Sequence, residues 1–180
     1  MKFVESELPG VWLIEAEPFA DERGVFRRHF CTEEFKAAGP SFTVQQGNIS
    51  ENPLLGTLRG FHYQTKPFEE SKVLSCLSGA LFDIVVDLRP QSPTFMKWTS
   101  VELSAANRRS LYVPAGFANA WMTTRADTLV HYYMSEFYNA ESYRGIRYDD
   151  PAFGFRWPFE PRLISDKDRL FPDFDVASVQ

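Results

Sequence analysis

Residues 80–88 read Ala-Leu-Phe-Asp-Ile-Val-Val-Asp-Leu, an alternation with the period of a β-strand. Ala80, Phe82, Ile84, Val86 and Leu88 share one apolar face, while Asp83 and Asp87 alternate with Leu81 and Val85 on the other. Similar short runs recur at 11–16, 43–48, 57–64, 72–76, 98–103, 110–114, 117–123 and 129–137. Turn signals separate many of them: Asn52-Pro53, Ser78-Gly79, Arg89-Pro90, Ser92-Pro93 and Pro114-Ala-Gly116. Many strands with short connections indicate an all-β sandwich or barrel. The aromatic load of 4 Trp, 7 Tyr and 17 Phe suits sheets, aromatic-lined pockets and interfaces.

Two stretches read as helical. Thr32-Glu-Glu-Phe-Lys-Ala-Ala38 ends at Gly39-Pro40, with Thr32 expected as N-cap and Gly-Pro as the stop. Ser165-Asp-Lys-Asp-Arg169 fits a single capped turn. No repeat, low-complexity tract or linker divides the 180 residues, so a single domain over 1–180 is expected. The Pro- and aromatic-rich start of segment 151–180 lacks periodicity and is expected to wrap the outside of the barrel.

Charge narrows the function classes. With 19 basic and 24 acidic residues, the net charge of −5 lacks the basic excess of a nucleic-acid binder. Arg nevertheless outnumbers Lys, 13 to 6, which suits bidentate grips on phosphate or carboxylate. Cys31 and Cys76 form neither a disulfide framework nor a zinc pattern. No apolar run approaches a membrane span, and the N-terminus carries acids where a signal peptide needs an apolar stretch. The expectation is a soluble, cytoplasmic protein.

The three histidines, His29, His62 and His131, lack metal-ligand spacing. His62 lies in Gly56-Thr-Leu-Arg-Gly-Phe-His-Tyr-Gln64, three residues after Arg59. Strict alternation puts Arg59 and His62 on opposite faces; a bulge at Gly60 would bring both to one pocket, and the alternative leaves Arg59 solvated. Lys72 follows Glu69-Glu70 and opens an apolar run, the position of a gatekeeper charge on an edge strand. Of Tyr132 and Tyr133, one faces the interior, and period alone does not say which.

Taken together, Asp21-Glu-Arg-Gly-Val-Phe26, Gln46-Gly-Asn48, Leu58-Arg-Gly-Phe-His-Tyr-Gln64, Val86-Asp-Leu-Arg89, Val113-Pro-Ala-Gly-Phe-Ala118, Arg144-Gly-Ile146 and Ser165-Asp-Lys-Asp168 resemble the nucleotide-sugar 3,5-epimerases of the dTDP-4-dehydrorhamnose family. The resemblance implies a cupin-type jelly-roll β-barrel with short peripheral helices, usually a dimer. It implies epimerisation of a nucleotide-linked 4-keto-6-deoxyhexose, foremost dTDP-4-dehydro-6-deoxyglucose at C3 and C5. In those roles His62 is the base, Asp168 orients it, Lys72 neutralises an enolate oxygen and Tyr132 is the acid across the ring. Arg59 grips the diphosphate and Arg23 reaches in from the partner chain. Gln46 and Asn48 read the nucleobase, and Phe26 and Tyr138 form aromatic walls. The reaction is redox-neutral, so the resemblance implies no cofactor.

The pattern departs from the family at two positions. Asn119 follows Gly-Phe-Ala where most members have a histidine paired with an aspartate, here Asp83; Asn exchanges no proton at neutral pH. Arg28 stands where the family commonly has Glu beside the nucleobase, which either signals a base such as cytosine or leaves Arg28 turned to solvent or a carboxylate. Alternatives are therefore a 3-only or 5-only epimerase, on a dTDP- or a CDP-sugar, or a catalytically silent nucleotide-sugar-binding cupin. Metal-dependent cupins want H-x-H and P-x-G-x-x-H; this chain has His62-Tyr63-Gln64 and Pro114-Ala-Gly-Phe-Ala-Asn119, so no metal is expected.

Overall fold

The structure, a computed structural model, describes residues 1–179; Gln180, the last residue of the expected outer segment, lies outside them. In chain order the elements are β1 (Lys2–Glu5), β2 (Trp12–Glu15), β3 (Phe19–Asp21), β4 (Gly24–Phe26), α1 (Thr32–Ala38), β5 (Gln46–Asn52), β6 (Thr57–Gln64), β7 (Lys72–Ser78), β8 (Ala80–Asp87), β9 (Trp98–Ser104), β10 (Arg109–Val113), β11 (Phe117–Thr123), β12 (Thr128–Met134), β13 (Tyr143–Gly145), β14 (Leu163–Ile164) and α2 (Asp166–Arg169), followed by a 3₁₀ turn at Val176–Val179. One sheet runs β1-β2-β10-β7-β12-β5. The other runs β13-β6-β11-β8-β9, with β14 parallel to β6. Chain neighbours such as β6 and β7 lie in different sheets. This is the jelly roll the resemblance implies.

The central strands of both sheets are buried on both faces, which explains the two faces of β8. Its mixed face points between the sheets, where Leu81 and Val85 pack with Leu74, Leu111, Phe117 and Val130. Its dry face points outward, where Ile84 and Val86 join Phe61, Ala118 and Ala120 under Phe153, Phe155 and Trp157 of the C-terminal segment. Phe155 stacks on Phe61 with ring centroids 4.2 Å apart. The N-terminal third covers the other sheet: Phe35 of α1 and Phe42 pack on Ile14, Val73 and Tyr112. Terminal segments thus supply apolar cover outside, and polar groups are admitted inside.

Local expectations shift in three places. The strand read at 43–48 starts at Gln46 and extends to Asn52 in register with β12, because Phe42 is drawn into the outer aromatic cluster. Thr32 is the first helical residue rather than the cap; Cys31 occupies the N-cap and its side chain makes no capping bond. Residues 135–137 fall beyond β12, which ends at Met134. Gly39 ends α1 with φ at +119° and its amide bonded to the Phe35 carbonyl.

The bulge sits at Gly60. Across β11 and β6, Asn119 faces His62 and Trp121 faces Arg59, so two steps on one strand meet three on the other. Arg59 and His62 thereby point to the same side, as alternation alone forbids. Gly60 has φ at +113°, and a Cβ there would lie 2.7 Å from Ala120 Cα and from the Asn119 carbonyl. Gly60→Ala is therefore expected to destabilise the fold by about 1–3 kcal/mol from backbone strain alone, and more from the clash, measured by chemical denaturation.

Candidate active site

The Gly60 bulge also frees an amide. Gly60 N–H donates to Asp168 Oδ2 at 3.2 Å, while His62 Nε2 meets Asp168 Oδ1 at 2.7 Å. Asp168 arrives on α2, whose N-cap is the expected Ser165: its hydroxyl accepts from the Asp168 amide at 3.1 Å. Burial alone would raise the Asp168 carboxyl, but the bonds from His62, Gly60 and Ser165 outweigh it and hold the group below its ordinary value. A carboxylate only accepts, so Nε2 of His62 carries the proton and Nδ1 keeps its lone pair. Burial lowers the imidazole against the opposing pull of Asp168, and the ring is neutral at neutral pH.

His62 opens onto a cavity of about 490 Å³ between the sheets. Arg59, Lys72, Tyr132, Gln46, Asn119 and Tyr138 line it as well, each expected from the sequence. Tyr132 is the inward member of its pair; Tyr133 turns outward with His131, whose ring meets His29 at 3.2 Å away from the cavity. Burial pushes the Tyr132 hydroxyl above its ordinary value, so the phenol holds its proton.

Lys72 Nζ donates to the His62 carbonyl at 3.0 Å and to Asn119 Oδ1 at 3.2 Å, and pairs with Glu70 at 3.0 Å. Asn119 passes the contact on, donating from Nδ2 to Asp83 Oδ2 at 3.2 Å. Asp83 is wholly buried, which pushes its carboxyl well above the ordinary carboxylate value against the opposing pull of Asn119 and Lys72. Arg59 is steadied by Asn52 Oδ1 at 3.0 Å and lies 5.8 Å from the Trp121 ring centroid. A neutral imidazole, a phenol and an ammonium thus share one cavity with a guanidinium. Such a set can move a proton to and from carbon while stabilising negative charge on oxygen.

A family model described as dTDP-4-dehydrorhamnose 3,5-epimerase matches residues 5–175. The dTDP-4-dehydrorhamnose 3,5-epimerase of Sinorhizobium fredii is 42% identical over 173 residues, 96% of this chain and 89% of that protein. Among solved structures, the Legionella pneumophila dTDP-6-deoxy-D-glucose-3,5-epimerase in complex with dTDP-4-keto-L-rhamnose superposes with TM-score 0.92 at 32% identity, covering 99% of this chain and 96% of that one. A 3'-monoepimerase from Streptomyces bikiniensis in complex with dTDP-quinovose gives 0.87 at 34% identity, covering 96% and 87%. The chain belongs to the dTDP-4-dehydrorhamnose 3,5-epimerase family.

Besides Asp168, which stands behind His62, four residues expected in the site of this family member stand apart from the cavity wall. Asn48 backs Gln46, accepting from its amide at 3.0 Å. Arg28 is turned to Glu34 on α1, the carboxylate alternative of the two readings. Arg23 and Phe26 lie on the exposed β3–β4 hairpin, Arg23 bound to Asp21 and Phe26 75% exposed. Conversely, the cavity wall holds Glu70, Trp121 and Tyr143, which the sequence reading did not select. Tyr143 lies 5.1 Å from the His62 ring, under the Lys167 ammonium at 3.7 Å; burial, then the charge of Asp168, pushes its hydroxyl far up. Its signal was topological: β13 pairs with β6, placing Tyr143 opposite Gln64 and Gly145 opposite His62.

Because the Asp168 bond raises the His62 imidazole, removing its charge acts in the same direction as burial. In Asp168→Asn the His62 titration midpoint is expected to fall to lower pH, followed by NMR of the imidazole protons.

Proposed function

We propose that this chain is a 3,5-epimerase of a nucleotide-linked 4-keto-6-deoxyhexose, with dTDP-4-dehydro-6-deoxyglucose as substrate. The observation that carries the reading is the His62–Asp168 pair opening onto the same cavity as Lys72 and Tyr132. The C4 ketone acidifies the C–H bonds at C3 and C5. His62 Nδ1 takes the proton from one of them, and the electron pair moves onto the C4 oxygen. Lys72 stabilises that enolate oxygen, and Asp168 the imidazolium that forms beside it. Tyr132 returns a proton to the opposite face of the carbon, inverting it. No electron leaves the substrate, so the reaction needs no cofactor.

Arg59 suits the diphosphate, with Gln46, backed by Asn48, and Tyr138 left for the base. Arg28 engaged by Glu34 favours thymine over cytosine, because it leaves Gln46 to read the base. We further propose a homodimer in which the β3–β4 hairpin carries Arg23 and Phe26 into the partner's cavity. The exposure of Phe19, Val25 and Phe26 on so short a hairpin supports this. No described helix is long and apolar enough to cross a membrane. The reading puts this enzyme in the cytoplasm, with its charged substrate, as a single domain.

Incubation with dTDP-4-keto-6-deoxyglucose in D₂O is expected to place deuterium at both C3 and C5, read by NMR. Label at one carbon alone would make this a single-site epimerase, with Asn119 in place of a proton-exchanging histidine as its cause. His62→Ala is expected to slow exchange by about 10²–10⁴-fold while keeping dTDP affinity, which exceeds that for CDP. A catalytically silent binder would show no exchange to lose. Mixing inactive Arg23→Ala and His62→Ala proteins is expected to restore activity, because each mixed dimer holds one intact site; failure to complement would refute the crossing hairpin.

A further inference from the structure

The Glu69-Glu70 pair carries no role in the reaction as described, yet Glu70 is drawn into the cavity wall. Its carboxyl is 4% exposed and lies 3.0 Å from Lys72 Nζ, itself 10% exposed. The other partners of that ammonium, the His62 carbonyl and Asn119 Oδ1, are neutral. Two further buried carboxyls are engaged elsewhere: Asp83 is bound by the Asn119 amide, and Asp168 is held by His62 and Gly60. Glu70 is therefore the counter-charge of Lys72. The dependence runs both ways, because Glu70 Oε2 is buried and has no hydrogen-bond partner among the described residues. A buried charge stripped of its partner is costly, whereas removing both is tolerated.

The chain geometry enforces this pairing. Ser71, between the two charges, is pinned at both ends: its amide donates to Ser135 Oγ at 2.8 Å, and its hydroxyl accepts from the Ala115 amide at 3.0 Å. Fixing residue 71 leaves residues 70 and 72 on the same side of the entering strand, the period-two relation. Resting on the epimerase reading above, we propose that Glu70 is a positioning residue for epimerisation, holding the Lys72 ammonium where the enolate oxygen forms. Glu70 touches no reacting atom in this scheme and acts only through Lys72.

A kinetic double-mutant cycle tests this, using deuterium exchange into the dTDP-linked 4-keto sugar. Glu70→Gln is expected to lower kcat by about tenfold or more with KM and dTDP affinity nearly unchanged. In a Lys72→Met background the same change is expected to have no further effect, and Glu70→Asp is expected to recover part of the rate. Glu70→Gln slowing the Lys72→Met enzyme as much as the wild type, or acting on KM alone, would overturn the proposal. Thermal melting of the same four proteins reads the pair without turnover: the double variant should melt above Glu70→Gln, and an equal or lower midpoint would overturn the pairing. A wild-type protein without exchange defeats the epimerase reading itself, and the melting cycle still decides whether Glu70 and Lys72 depend on each other.

Discussion

The bond between His62 and Asp168 joins two parts of the chain separated by 106 residues, and much of the architecture is arranged around it. One end needs a strand that breaks its own alternation, so β6 carries a glycine where a Cβ would strike β11. The other end needs a carboxylate in a fixed place, so a one-turn helix is capped by Ser165 and docked on that strand. The amide freed by the bulge then becomes the second anchor for the same carboxylate. A single irregularity thus positions the imidazole, releases a backbone donor and retains the C-terminal segment.

Apolar cover decides where the polar cavity sits. The interior of a roll this small would ordinarily be filled with aliphatic side chains, as it is around Leu81, Val85 and Leu111. Here Phe61, Ile84 and Val86 find their cover on the outside, beneath Phe153 and Phe155, and Val73 and Tyr112 find theirs beneath Phe35 and Phe42. Burial on the outer faces lets one end of the interior keep Arg59, Lys72, Asn119 and Asp83. Those groups are tolerated because they are linked: ammonium to carboxylate, ammonium to amide, amide to buried carboxyl.

Much of this was readable in the residues. The alternation of 80–88 contains both layers of β8, and Gly60 between Arg59 and His62 announces the bulge. Ser165 and Asp168 carry the cap in their spacing, because a cap is a local interaction. What escaped was non-local. Tyr143 enters the cavity through the pairing of β13 with β6, and Glu70 because Ser71 is pinned by Ser135 and Ala115, contacts that leave no trace in the local sequence. Polar β5 reads poorly because it is an edge strand paired only with β12, so its outer side need not be apolar.

The position of α2 along the chain also has a consequence for biosynthesis. Every strand of both sheets precedes Ser165, so a nascent chain can close the roll before the residue that orients His62 has emerged. The cavity, its arginine and its lysine are then in place while the imidazole still lacks its anchor. Chain order thus sets the whole scaffold ahead of the carboxylate that anchors His62, and the tail supplies that partner last.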